Sequence, residues 1–343
     1  MTQTQLVSWL IAAITFGTVI MYGAVGETMG QKAGNLNLGV PGVMQLGGIA
    51  SLAGAFIYER STAHPSPIVG MLIALVCALL AAAAGGFIYA FLTVSLKVNQ
   101  NVTGLTLTIF GTGVANFFGG SMMKLSGGVG TISVATTSSA FRAKLPFLFG
   151  KGGVIGSILL SHGWMVYMAL VFAILADLFL NKTRVGLNLR AVGENPGTAD
   201  AAGINVTLYK YLASVLGGAV SGLGGLFYVM DYIQGTWAND SAIEALGWLA
   251  AALVIFTGWK PRKAITGAYL FGVCYWAYIY IPSEISQAIE KALHLSKTTY
   301  VQNLYMMLPY VVTIIVLCIV SSRKRREDLG PAALGLSYFR EDR

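Results

Sequence analysis

Residues 68–93 read IVGMLIALVCALLAAAAGGFIYAFLT, and no Asp, Glu, Lys or Arg stands between Arg60 and Lys97. About 20 consecutive apolar residues in an α-helix cross the hydrocarbon core of a bilayer, and this stretch is longer than that. Its apolarity is continuous and does not alternate, which excludes a strand of a membrane β-barrel. Lipid offers no hydrogen-bond partner to a backbone, so the stretch must be helical. Comparable stretches run from about residue 6 to 25, 38 to 58, 102 to 120, 162 to 181, 208 to 230, 242 to 258, 264 to 282 and 304 to 322. With the quoted one, nine spans are expected. The fold class that follows is all-α, a polytopic membrane helical bundle of about nine to ten helices.

The whole composition agrees. Of 343 residues, 55% are hydrophobic and 10% charged, with a mean hydropathy of +0.69; a soluble domain carries roughly a quarter charged residues. A water-soluble globule, a disordered chain, collagen and a disulfide-rich scaffold are excluded. The net charge of +8 does not point to nucleic acid, because the basic residues stand in short clusters between apolar segments. Lys182, Arg184 and Arg190 form one cluster, Lys260, Arg262 and Lys263 a second, and Arg323, Lys324, Arg325 and Arg326 a third. Each is two crossings from the next, so all three can be cytoplasmic together. Residues 1–322 then form one transmembrane domain and 323–343 a basic cytoplasmic tail.

The linker 283–303, with Glu284, Glu290, Lys291 and Lys297 at helical spacing, falls outside and reads as an interfacial helix with a solvated face. The linker 121–161 falls outside by the same counting, and so does the amino terminus. A broken or re-entrant segment around Asn35 to Gly48 would reverse the latter, which leaves that end open. No basic residue precedes Leu6 to Val25, so this run is expected to be a retained helix and not a cleaved signal.

Little in the chain suits covalent chemistry. Cys77, Cys274 and Cys318 are isolated in apolar runs, and His64, His162 and His294 stand alone, so no metal is expected. Glu27 and Asp177 are the acids closest to apolar segments and both lie near expected ends, which offers little to an intramembrane enzyme or an ion-coupled carrier. There is no repeated pore motif of a channel. Small residues four apart, Ala81 with Gly85, Ala82 with Gly86, Gly218 with Gly222 and Ala50 with Gly54, predict close helix packing. A phosphate loop is missing: Gly150-Lys151 lacks both the upstream glycine and a following Ser or Thr. The reading left is a transporter subunit without a cofactor of its own, powered by a partner chain.

The polar linker at about 186–206 is the expected docking surface for that partner. Glu194-Asn195-Pro196 reads as a helix start, with Asn195 as N-cap and Pro196 at the first helical position. Gly203 reads as its stop, giving a short helix over Thr198 to Ala202. A helix seated in the cleft of a soluble partner and an ordinary loop helix both fit this pattern.

Here the sequence resembles the permease subunits of bacterial ABC importers of the ribose and branched-chain amino acid superfamily, in Leu189-Arg190-Ala191-Val192-Gly193-Glu194-Asn195-Pro196. Gly34-Asn35-Leu36-Asn37-Leu38-Gly39-Val40-Pro41-Gly42-Val43-Met44 is similar to a block of the nucleoside and simple-sugar branch. A third block, Leu246 to Gly272, contains Ala252-Leu253-Val254-Ile255-Phe256-Thr257-Gly258-Trp259-Lys260-Pro261. Pro41 stands where the family usually shows an acid, and Thr108 where relatives often place an asparagine. The resemblance implies an importer in the bacterial cytoplasmic (inner) membrane that works by alternating access. Its implied partners are a second, unlike permease, a cytoplasmic ATPase with two nucleotide sites that holds ATP and Mg, and an external substrate-binding lipoprotein. Nucleosides are the implied substrate, with simple sugars or branched-chain amino acids as alternatives. The ATPase-coupling residues it implies are Arg190, Gly193, Glu194, Asn195, Pro196 and Gly203.

For the substrate pathway the polar groups inside apolar segments are the candidates: Asn35, Asn37, Asn101, Thr103, Thr106 and Asn116. Thr103 and Thr106 are three apart, hence on one helix face, and lining or bonding to the preceding turn are equally open to them. Phe117, Tyr228, Tyr232 and Trp237 are candidates for stacking on a ring, against the simpler reading of an aromatic belt. A rival from another class is a secondary carrier working without ATP.

Overall fold

The computed structural model describes residues 3–125, 132–144, 153–237, 241–280 and 329–339, with scattered positions from 284 to 318. Among the described residues, six helices are long and apolar enough to cross a membrane: α1 (Gln3–Lys32), α2 (Val40–Ser61), α3 (Pro67–Ala90, continued by a π-helical turn Phe91–Ser95), α4 (Gln100–Leu125), α7 (Trp164–Lys182) and α10 (Val206–Phe227, continued by a π-helical turn Tyr228–Tyr232). Between them lie the short α5 (Ala135–Phe141), α6 (Gly153–Leu159), α8 (Arg184–Glu194) and α9 (Pro196–Ala201). The apolar helices α11 (Ala242–Phe256) and α12 (Pro261–Tyr280) follow. Each of the first eight expected spans thus contains a helix, the eighth described to Tyr280; the ninth, 304–322, and the linker 283–303 lie largely outside the described residues.

α1 is the axis of the bundle. Its second half is buried from Phe16 to Thr28, and it packs against α7, α10, α11 and α12. Small residues set how near the helices come. A Cβ on Gly217 would stand 2.5 Å from the Gly26 carbonyl oxygen, so α1 and α10 touch backbone to backbone, an approach only glycine allows. The expected Ala82/Gly86 and Gly218/Gly222 pairs meet each other where α3 crosses α10: a Cβ on Gly218 would lie 3.0 Å from the Ala82 carbonyl oxygen.

The helices run alternately between two ends. α8 and α9 mark one, the coupling end. It also holds Lys32 at the close of α1 and the α11–α12 turn, whose Trp259 Nε1 donates to Gln31 Oε1 at 2.6 Å. The opposite end carries the start of α1, where Trp9 Nε1 donates to Val273 O of α12 at 3.1 Å. It also carries the α2–α3 turn and a two-stranded antiparallel ribbon, β1 (Ile132–Ser133) with β2 (Thr236–Trp237). The ribbon ties the 121–161 linker to the α10–α11 connection. The amino terminus, open from the sequence, therefore lies at the end opposite α8 and α9. Lys182, Arg184, Arg190, Lys260, Arg262 and Lys263 all fall at the coupling end, where residues 329–339 also return.

Three helices at the coupling end, α8, α9 and α10, are each started by a side-chain cap. Thr183 accepts from Gly186 N, Asn195 Oδ1 from Thr198 N and Asn205 Oδ1 from Leu208 N, each at 3.0 Å. These satisfy backbone donors that a helix start leaves orphaned. The N-cap Asn195 and first-turn Pro196 are those read from the sequence, and Gly203 follows the helix with φ +82°. The helix α8 was not legible; its Leu189 and Val192 are buried while Leu187 is exposed.

Candidate functional site

Between α1 and α2 the chain stops being helical, inside the bundle. Gly34, with φ +85°, ends α1: its N–H donates to Gln31 O at 2.9 Å and Asn35 N to Gly30 O at 3.1 Å. This pair of bonds is a glycine-terminated C-cap. Residues 35–37 then run without regular structure and 38–39 turn, until α2 starts at Val40 under a tight crossing with α4, where Gly42 packs on Leu107 and Thr108. Non-helical backbone at membrane depth is tolerated only where protein satisfies it, and here side chains from three helices, together with Asn37 of the segment itself, do so. Leu36 N donates to Gln100 Oε1 (2.7 Å) and Leu36 O accepts from Tyr89 OH (2.8 Å). Asn37 N donates to Glu27 Oε1 (3.2 Å), Gly39 N to Asn37 Oδ1 (2.8 Å), and Leu38 O accepts from Thr108 Oγ1 (3.1 Å). The break is a polar knot, buried at Gly34, Asn35, Asn37 and Gly39 and half-buried at Leu36 and Leu38.

Asn35 and Asn37, read from the sequence as pathway residues, are part of that knot. Asn35 is wholly buried; its Nδ2 donates to Lys210 O at 2.9 Å and Ser214 Oγ at 2.8 Å. The cavity beside them, lined by Glu27, Gly30, Val43, Gly217 and Ser221 among others, measures only about 10 Å³. That is room for one water and far less than the few hundred Å³ a sugar or nucleoside fills. The remaining candidates lie elsewhere. Thr103 is buried against the bundle with its hydroxyl on Asn99 O, whereas Asn101, Thr106 and Asn116 are exposed along the outer face of α4. Thr103 and Thr106 thus part, because the boundary between bundle and surface runs between them. Among the aromatic candidates, Tyr228 and Trp237 are buried in the core and Phe117 is 67% exposed on α4.

Sequence reasoning set Glu27 aside as an end residue; α1 runs on to Lys32, so Glu27 sits inside the knot, 4% exposed, holding Gln31 Nε2 at 2.8 Å. It missed Lys210, 3% exposed, as well as Tyr89, Gln100 and Ser214. A signal was present for two of these: Glu27 and Lys210 are solitary charges in otherwise apolar stretches, and such residues face the bundle interior.

The coupling candidates cluster at the end of α8 and the start of α9. Glu194, Asn195 and Gly203 are exposed, Arg190 and Pro196 half-buried, and Gly193 buried, its Cα face so close to Lys32 O that a side chain there would overlap it. Two open clefts flank the pair of helices. One of about 520 Å³ lies by Lys97, Asp200 and Asn205, the other of about 610 Å³ by Arg190, Glu194 and Trp259. The buried side of α8 therefore rests on the ends of α7, α10 and α1, next to the break, and that of α9 on α10, while the exposed side of the pair faces away from the bundle.

Residues 9–317 match the family described as branched-chain amino acid transport system / permease component. The chain belongs to this family. It is 31% identical over 340 residues to a Haloferax volcanii protein named as a candidate glucose ABC transporter permease, covering 97% of each chain. It is 27% identical over 328 residues to the nucleoside ABC transporter permease protein NupC of Lactococcus lactis, 95% of each. To the guanosine ABC transporter permease protein NupQ of Bacillus subtilis it is 27% identical over 346 residues, 99% of each. No solved structure matches the chain. This permease is a multi-pass membrane protein.

Proposed function

We propose that this permease is one of two membrane subunits of an ATP-driven nucleoside importer of the bacterial cytoplasmic membrane, moving substrate by alternating access and performing no chemistry on it. The nucleoside reading is supported by full-length similarity to a nucleoside and a guanosine permease. The observation that carries the mechanical reading is the capped pair α8–α9, seated with its buried side on the ends of α1, α7 and α10 and its exposed side free for a soluble partner. A cytoplasmic ATPase docks there through Arg190, Glu194, Asn195 and Pro196. Its closure displaces α8 and α9, and Gly193, pressed on Lys32, carries that displacement to the break. A two-state element whose equilibrium ATP biases is what alternating access requires.

The pathway runs along the outer face of α4. Asn101 and Asn116 are costly against lipid, so a second permease covers them and leaves them lining the space between the two subunits. An external lipoprotein delivers substrate at the far end. Simple-sugar import is the second reading, favoured by the glucose-named relative. The test is to purify the tagged chain in mild detergent, identify what accompanies it, and measure uptake of guanosine against glucose. An ATPase, a second permease and a lipoprotein loaded with nucleoside are the expected result. A chain that purifies alone and carries out gradient-driven uptake overturns the importer; a sugar in the lipoprotein selects the second reading.

A further inference from the structure

Residues 329–339, which the sequence consigns to a tail, are packed across the coupling end, against α8, α9, the break, the starts of α4 and α10 and the α11–α12 turn. Gly330 lies on the Trp259 ring. Ala333 N donates to Gly193 O at 3.0 Å, and Ala332 N to Glu194 Oε2 at 3.3 Å, so the segment is bonded to the end of α8. Two residues on, Gly335 N donates to Gly34 O at 3.2 Å, the glycine that opens the break. Leu336 O accepts from Gln100 Nε2 at 3.3 Å and from Lys210 Nζ at 3.4 Å. Gln100 is the side chain that satisfies Leu36, and the Lys210 carbonyl holds Asn35. Finally Tyr338 OH donates to Asp200 Oδ2 of α9 at 2.8 Å, with its ring against the cluster of Val192, Ala199 and Val206, and the Phe339 ring lies 5.7 Å from Lys97 Nζ.

We propose that segment 330–339 is a strap that transmits the coupling stroke, fastened to α8 and α9 at both its ends and to the break of the helical path at its middle. The strap rests on the proposed role of α8–α9 and deepens it. A free basic tail would show none of this order of contacts; here the attachments alternate, coupling helix, break, coupling helix. Moving α8 and α9 together therefore pulls Gly335 and Leu336, and with them Gly34, Gln100 and Lys210. Tyr338 is a positioning residue in this device. It touches neither substrate nor ATPase, and fixes the outer end of the strap by a hydrogen bond to a carboxylate, a stronger class than a neutral pair.

The test uses the whole transporter, co-expressed and reconstituted in proteoliposomes, with guanosine and glucose as the uptake probes and ATP hydrolysis measured beside them. Two variants address the strap, a chain ended after Leu329 and Tyr338→Phe. The expected result is that the ATPase co-purifies and hydrolyses ATP as with the unaltered chain, while uptake per ATP falls, by roughly tenfold for Tyr338→Phe, the scale of one hydrogen bond to a charged group. Uptake within twofold of the unaltered transporter in both variants overturns the strap. Loss of the ATPase from the shortened chain also overturns it, since the segment is then a docking surface. If the shortened chain fails to reach the membrane, Tyr338→Phe and Asp200→Asn decide, and both must uncouple. A fourth variant, Ala202→Arg on the exposed end of α9, tests the underlying reading separately: an ATPase that still binds it refutes the docking role of α8–α9 whatever the strap does.

Discussion

Replacing Gln100 by Met keeps the length and approximate volume of a side chain that is 3% exposed and removes its polar atoms. Gln100→Met leaves the N–H of half-buried Leu36, bonded at 2.7 Å to Oε1, without that acceptor. An orphaned buried donor costs about 1–3 kcal/mol. The longer contacts of Gln100, 3.4 Å to Tyr89 OH and 3.3 Å to Leu336 O, add little, because Tyr89 keeps Leu36 O and Leu336 O keeps Lys210. About 2 kcal/mol is therefore expected, and at roughly 2–4 °C per kcal/mol for a large domain the melting temperature should fall by about 4–8 °C. The assay is thermal unfolding of the purified protein in detergent at one scan rate, since heat unfolding of such proteins is irreversible and rate-dependent. Thr106→Val is the control: Thr106 is exposed and its hydroxyl bonds Val102 O of its own helix at 2.9 Å, so it should stay within about 0.5 kcal/mol. A Gln100→Met protein as stable as the control would refute the claim that side chains hold the break.

Asn195→Ala should remove the cap of α9 and about 1 kcal/mol of its stability, read as faster amide exchange over 196–201, while Asn195→Asp retains both; equal exchange in the two variants argues against the cap. Gly26→Val should abolish folded protein in the membrane, because its side chain would overlap Gly217 O and Ser221 of α10, whereas Gly113→Ala, with nothing within 4 Å of the added carbon, should express normally. Cysteine placed at Ala63, in the α2–α3 turn, should react with an impermeant reagent on intact cells, and one at Ala202 only after permeabilisation. The reverse pattern would invert the orientation drawn from the basic clusters.

How far the sequence reads depends on how far apart the interacting residues lie. The helices are legible because continuous apolarity is a property of each segment alone, and lipid leaves a backbone no other solution. The start of α9 is legible for the same reason: Asn195, Pro196 and Thr198 settle it among neighbours. The helix α8 escaped because its apolar positions are few and only the surface under it decides which side is buried. Thr103 and Thr106 could be given one face by spacing but not divided between bundle and surface, since that depends on where α2 packs.

By itself the sequence determined that this chain is a bundle of membrane helices with its basic loops at one end, a helix start at Asn195, and blocks that place it among ABC permeases. Only the tertiary structure decided what Asn35 and Asn37 do, and that Glu27 and Lys210, Tyr89 and Gln100, and the segment after Leu329 meet at one broken helix. Helix side chains that partner the break lie up to 179 residues from it along the chain, and Gly335, bonded to Gly34, lies farther still. Hydrogen bonds of that kind have no local signature, because they exist only once α1, α3, α4 and α10 have packed at distances that their small residues permit.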